Sequence, residues 1–321
     1  MTPEQLEAVP TETDTSGNVA VFCGHMFNAG SDAEVSLAQR ISNHLDELNI
    51  SVAYGPLACG ADIVIAEELL KRGAELNVVL PFAEEDFIDE SVTSGGHDWA
   101  ERYYACRNAA KSISFATPSD YVGDDNQFAY NTLYAMGLAL LRAEKRRCEA
   151  YQIAVVSNEF ASFSATGIAG TKADMKLWQD LGRKTVTIPA GNVPRNLRFP
   201  KRAKIGDGTK REIRSIIFAD YKGFSRLGER ELPEFMHLIM GRIAQVLHDF
   251  GDHVEFRNTW GDAVYAIVDE PKKAAAIALA LQEALDDIPR GLVPSGAVAG
   301  MRIGVHYGPI WVGTARIPGN R

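Results

Sequence analysis

Two aspartates stand where this chain could do chemistry. Asp220 ends the apolar run Ser215–Ala219, and Asp262 follows Gly261 at a sharp bend between two apolar runs, directly after the bulky Trp260. If the two runs form neighbouring strands, both carboxylates come to one sheet edge. A hard cation such as Mg²⁺ takes about that much from protein, with water and phosphate oxygens completing its shell. A pair of such ions can activate an attacking hydroxyl and steady a leaving pyrophosphate. Gly223 and its turn would let backbone N–H groups approach those phosphates. An Asp at a strand end, or after Gly in a hairpin, is also an ordinary turn residue. Spacing alone leaves both readings open.

A second group lies in the first half. Gly55, Gly60 and Asp62 form a Gly-x-x-x-x-Gly-x-Asp turn between an apolar run and a helical pattern, and Gly24 closes an earlier apolar run. Glycines at such strand-to-helix turns let a phosphate or ribose approach the backbone near a helix N-terminus. They serve tight packing equally well.

The elements that must position these residues are legible from periodicity. Over 18–190, short apolar runs such as Asn18–His25, Leu76–Phe82 and Tyr151–Ser157 alternate with helical patterns. Fully apolar strands alternating with helices predict a parallel sheet covered on both faces. Residues 191–211 hold prolines, glycines, seven Lys/Arg and one acid without apolar periodicity, which predicts an exposed basic linker. After it come a strand, a long amphipathic helix, the hairpin 253–268, a second helix and a further strand pair over 299–313, an α+β arrangement. The expected fold class is therefore α/β. A disordered N-terminus (1–17) leads to a Rossmann-like domain (18–190), then the linker (191–211), then an α+β domain of ferredoxin-like form (212–321).

Composition narrows the function. At 321 residues and 46% hydrophobic content, there is enough chain for one large core or two ordinary ones. A net charge of −9 argues against a nucleic-acid partner. The four cysteines are scattered, with no zinc spacing, which fits a reducing compartment. No apolar stretch reaches the roughly 20 residues of a membrane span, and the polar, acidic N-terminus is unlike a signal peptide. A cytoplasmic protein without membrane contact is expected.

Three segments carry a resemblance. Ile216–Leu227 (IIFADYKGFSRL), Asn258–Val268 (NTWGDAVYAIV) and Met301–Gly313 (MRIGVHYGPIWVG) resemble, in order and at suitable separations, three signature blocks of the class III nucleotidyl cyclases, the adenylate/guanylate cyclase catalytic domain. The resemblance implies conversion of a nucleoside triphosphate to a 3′,5′-cyclic nucleotide and pyrophosphate, a lyase activity in a homodimer formed through this domain. Asp220, the Tyr221 backbone and Asp262 would hold two Mg²⁺ or Mn²⁺ ions. Lys222, Gly223, Phe224 and Ser225 would cradle the triphosphate. Asn258 stands where family members often carry a Lys or Glu that reads the purine, and a neutral amide does not choose between bases by charge.

The family's later Asn-x-x-x-Arg segment, which stabilises the transition state, is missing, and Asn320 and Arg321 do not match it. The domain is thus expected to lack its last segment, as a fragment or a truncation. The alternative is an inactive cyclase remnant joined to a nucleotide-ligand-binding module. In the first half, Tyr54–Phe82 resembles the core of the SLOG superfamily. That implies a sensor domain with a nucleotide-like ligand at Gly24, Gly55, Gly60 and Asp62. The Pro-Gly-Gly-x-Gly-Thr-x-x-Glu motif of its phosphoribohydrolases is absent, which argues against hydrolase chemistry.

Overall fold

A computed structural model describes residues 17–157, 167–200, 209–286 and 300–313. The expected disorder before residue 17, the second half of the predicted linker, and Asn320 with Arg321 lie outside the described residues, apart from the linker's last three positions. The chain divides between residues 206 and 207 into two compact units. It is a mixed α/β protein, with a parallel sheet in the first unit and a separate antiparallel sheet in the second.

The first unit runs β1 (Asn18–Gly24), α1 (Asp32–Glu47), β2 (Ile50–Gly55), α2 (Ala61–Lys71), β3 (Glu75–Leu80), α3 (Glu84–Phe87), α4 (Asp98–Ala109), β4 (Ser112–Phe115), α5 (Asp125–Arg146), β5 (Ala150–Val156), α6 (Thr171–Asp180) and β6 (Thr185–Pro189). Among the described residues, six parallel strands take the order β4-β3-β2-β1-β5-β6. Strand β1 is apolar from Val19 to Cys23 because both of its faces are covered. Ala20 and Phe22 pack with Leu37 and Ile41 of α1 and Ile65 of α2. Val19 and Val21 pack with Met136 and Ala139 of α5 and Trp178 of α6. The helices start where their side chains allow: Ser31 caps α1 by accepting from the Glu34 N–H, and Asp124 caps α5 by accepting from that of Asn126.

The second unit runs β7 (Thr209–Tyr221), α7 (Leu232–Glu234), a π-helical turn (Phe235–Ile239), α8 (Met240–Asp249), β8 (Val254–Trp260), β9 (Ala263–Val268), α9 (Pro271–Glu283) and β10 (Met301–Gly313). The antiparallel order is β10-β7-β9-β8. Ile217, Val264 and Ala266 pack against Ile243, Leu247, Ile277 and Leu281. Phe218, Phe256 and Trp260 stay exposed. Residues 301–313, expected to form a strand pair, form one strand in register with β7 from Met301↔Tyr221 to Gly313↔Thr209. Pro309 interrupts nothing, because β10 is an edge strand among the described residues and a missing N–H is tolerated there. No helix among the described residues is long and apolar enough to cross a membrane.

The closest packing in the first unit lies at the end of β1. A Cβ on Gly24 would stand 2.2 Å from the Ala61 Cβ and 3.1 Å from the Val155 Cβ. Gly24→Ala is therefore expected to destabilise by about 1–3 kcal/mol, as overpacked cores do. Ala61→Gly in the same chain should recover part of the loss in urea unfolding. A single variant as stable as the wild type would contradict this packing.

Candidate functional site

Strand β1 lies between β2 and β5, and the chain leaves the carboxyl ends of β1 and β5 toward opposite sides of the sheet. Open parallel sheets form a crevice where connections diverge in this way. A cavity of about 380 Å³ occupies it here. Its walls include the end of β1, the β2–α2 turn, Pro81 after β3, Glu90 beyond α3, Tyr121, the first half of α5 with Phe128 and Asn131, the start of α6, and the segment carrying Arg195 and Phe199. Tyr121 stacks on Phe82 with ring centres 4.6 Å apart, which stiffens that wall.

Asp62 enters from the first turn of α2 and is 4% exposed. Its Oδ2 accepts from the Ala58 N–H at 3.3 Å, while its Oδ1 has no hydrogen-bond partner among the described residues. Burial holds the carboxyl well above the usual range, the Ala58 and Gly24 amides work against this, and nearby Asp174 adds to it. Asp174, in α6, is pushed up to about 7 by burial against the effect of the Thr132 hydroxyl, which donates to Oδ1 at 2.9 Å. Asn131, on α5 and 5% exposed, donates from Nδ2 to the Val79 carbonyl at 3.0 Å and leaves Oδ1 without a partner among the described residues.

The opposite charge gathers around His25. Its Nδ1 accepts from the Ser157 N–H at 2.9 Å, so the neutral ring carries its proton on Nε2. Burial first, and then the charges of Arg195 and Lys172, lower its pKa to about 4. Lys172 follows Gly170 and Thr171 at the start of α6, where the helix end is itself positive. Cys23 also lines the cavity, but burial pushes its thiol up and disfavours the reactive thiolate.

Of the first-half residues singled out by sequence, Gly24 and Asp62 line this cavity. Gly55 and Gly60 do not. A Cβ on Gly55 would meet the Phe22 ring at 2.6 Å, and one on Gly60, at φ +94°, would meet the Phe27 nitrogen at 2.6 Å. Both serve close packing. The start of the expected exposed linker is docked on the first unit instead. Val193 is buried, the Asn28 N–H donates to the Pro194 carbonyl at 2.8 Å, and Arg195 and Phe199 reach the cavity. Sequence reading missed His25, Asn131, Lys172, Asp174, Arg195 and Phe199. The run Gly170-Thr171-Lys172 opening a helix after an apolar strand was the one usable signal.

In the second unit, β7–β9 pairing ends at Ala219↔Val264, so Asp220 and Asp262 lie toward one end of the sheet. Asp220 is ion-paired with Arg302 on β10. Gly261 and Asp262 form the two-residue turn after Trp260, with Gly261 at φ +63°. Tyr221 is buried against Phe235, and Phe224 packs on the same ring. Lys222 and Ser225 are exposed, with Gly223 between them at φ +90°. Asn258 is exposed and accepts from the Thr259 N–H. Among the described residues, no three or more His, Cys, Asp or Glu are grouped to hold a metal ion.

No protein-family model matches the chain, and no curated protein does. Solved structures similar to it include the DNA processing protein A of Streptococcus pneumoniae, at 16% identity and a TM-score of 0.28 over 54% of this chain and 59% of that one. Another is the Helicobacter pylori DNA processing protein A, described by its single-stranded DNA binding mode, at 11% identity and a TM-score of 0.28 over 53% and 75%. A third is Escherichia coli aspartokinase III, at 9% identity and a TM-score of 0.24 over 90% and 85%. The chain thus spans 59% of the length of the Streptococcus protein.

These findings correct the cyclase reading: no family model supports it, and these neighbours are DNA processing proteins and a kinase. The cyclic-nucleotide product, the lyase assignment, the cyclase homodimer and the remnant alternative go with it. The SLOG resemblance likewise has no family match behind it. The exclusion of nucleic acid as a partner is also withdrawn, because one neighbour binds single-stranded DNA. Likeness at this level assigns no function to this chain.

The cavity has a pH signature. Asp174 titrates at about 7 in the folded chain against an ordinary 3.8, so the folded state holds its proton more tightly than the unfolded state. Its effect on stability is nil below about pH 4, grows unfavourable through about pH 7 and then levels off. Asp174→Asn is expected to melt about 3–6 °C above the wild type near pH 8 and level with it near pH 4 by calorimetry. Equal melting near pH 8 would show that Asp174 ionises there without cost.

Proposed function

We propose that the first unit is a binding domain for a small phosphorylated ligand, held in the cavity at the carboxyl ends of β1 and β5. The observation that carries this reading is that Lys172, in the first turn of α6, and Arg195, in the docked segment after β6, line the same walled cavity as His25. An anion placed there meets two cations and the positive end of α6. Lys172 makes no ion pair with a described residue, so its charge is open to a ligand. The size of the cavity suits a small molecule, since ligand pockets run from about 300 to 1,000 Å³. Gly24 and Asp62 contribute to the wall, and Gly55 and Gly60 contribute through the packing that shapes it.

The reading is one of binding and assigns no chemistry to the cavity. Isothermal titration of the full chain with sugar phosphates and inorganic phosphate tests it. Binding is expected near pH 7, and Lys172→Ala should weaken it about tenfold or more, the usual scale for one charge-assisted hydrogen bond. Phosphate compounds that fail to bind, or that bind the Lys172→Ala chain equally well, would refute the reading.

A further inference from the structure

The stretch that follows β6 alternates like a strand. Val193 is buried, Arg195 and Leu197 are half-buried, and Pro194, Asn196 and Arg198 between them are exposed. Val193 and Leu197 pack on the core of the first unit, while Arg195 and Phe199 line the cavity. Among the described residues this stretch belongs to no sheet. An extended backbone laid against a protein must still find partners for its N–H and C=O groups. Asn28, in the loop after β1, supplies most of them. Its backbone N–H donates to the Pro194 carbonyl at 2.8 Å. Its side chain serves Asn196 twice: Nδ2 donates to the Asn196 carbonyl at 3.2 Å, and Oδ1 accepts from the Asn196 N–H. The same Nδ2 donates to the Gly95 carbonyl at 2.8 Å, and next to it the Arg198 N–H donates to the Ser94 carbonyl at 2.8 Å. One side-chain amide thus stands in for a neighbouring strand, a place that needs both a donor and an acceptor.

Docking is unfavourable for Arg195 itself. Burial disfavours its charged form, so the bonds to the backbone on either side must hold the guanidinium at the cavity. An anion beside it offsets the lost hydration. Docking and anion binding therefore favour one another, and by the same factor in each direction. We propose that Asn28 is the positioning residue of the anion site: its amide clasps residues 194–196 so that Arg195 faces the ligand, and bound phosphate in turn holds the clasp closed. Asn28 lies outside the cavity wall and acts only through the segment it holds. The proposal rests on the phosphate-binding reading and adds to it the residue on which the Arg195 contribution depends.

Hydrogen exchange and inorganic phosphate titration of the full chain test it together. In the unaltered chain, saturating phosphate is expected to slow exchange at the Asn196 and Arg198 amides about tenfold or more. Asn28→Asp keeps the shape of the side chain but turns a carboxylate toward two carbonyls. It should speed exchange at both amides and weaken phosphate about tenfold, the scale of one charge-assisted hydrogen bond. Asn28→Ala, which adds no charge, should do the same. In either background Arg195→Ala is expected to cost no further affinity, whereas Lys172→Ala, on α6, should still cost about tenfold. A residue that only stabilised the fold would not single out Arg195 in this way. Phosphate that binds without slowing the two amides, or an Arg195→Ala loss undiminished in both Asn28 variants, would overturn the clasp and leave phosphate binding intact. An unaltered chain that fails to bind phosphate would overturn both.

Discussion

The first unit depends on how closely the end of β1 approaches the start of α2. Gly24 has no side chain there, so Ala61 fits against it, and the Ala61 N–H donates to the His25 carbonyl at 3.2 Å. That contact draws the first turn of α2 beneath the sheet edge and takes the Asp62 carboxyl out of water. The helix N-terminus and the Ala58 amide both favour a carboxylate at this point, yet burial outweighs them and holds the carboxyl well above its ordinary range. One packing contact thus buries an acid in the wall of a cavity and makes its ionisation costly.

The cavity wall mixes acidic, neutral and basic side chains. Burial raises the pKa of both Asp62 and Asp174, which line it together with the neutral amide of Asn131. His25 lines it too, its pKa lowered by burial first and then by the charges of Arg195 and Lys172. The layout needs contributions from well-separated stretches of chain, because the divergence of connections at β1 and β5 gathers loops from several strands.

Much of the fold was legible in sequence because it rests on periodicity. The apolar runs at Asn18–Gly24 and Ala150–Val156 are covered on both faces, and the alternation in Ala263–Val268 is covered on one. The cavity was only partly legible. Gly24 and Asp62 belong to a compact local pattern, whereas Asn131 sits mid-helix and Arg195 sits in a run that resembles a solvated linker until Asn28 and Val193 dock it. The cyclase blocks show the opposite failure. Three residues of these blocks have a local structural explanation: Gly261 takes the positive φ of a two-residue hairpin turn, Tyr221 fills a core, and Asp220 pairs across strands with Arg302. Short strand–turn patterns can therefore satisfy a family's spacing through hairpin geometry alone.

The central claim is that an anion belongs beside Lys172 and Arg195 at His25, and NMR titration of the His25 imidazole tests it most directly. In the ligand-free chain the ring should titrate at about 4. With saturating inorganic phosphate, the added negative charge should raise that value toward the ordinary histidine range of about 6.5. A ring that titrates near 6.5 without ligand, or one whose pKa phosphate leaves unmoved, would contradict the account.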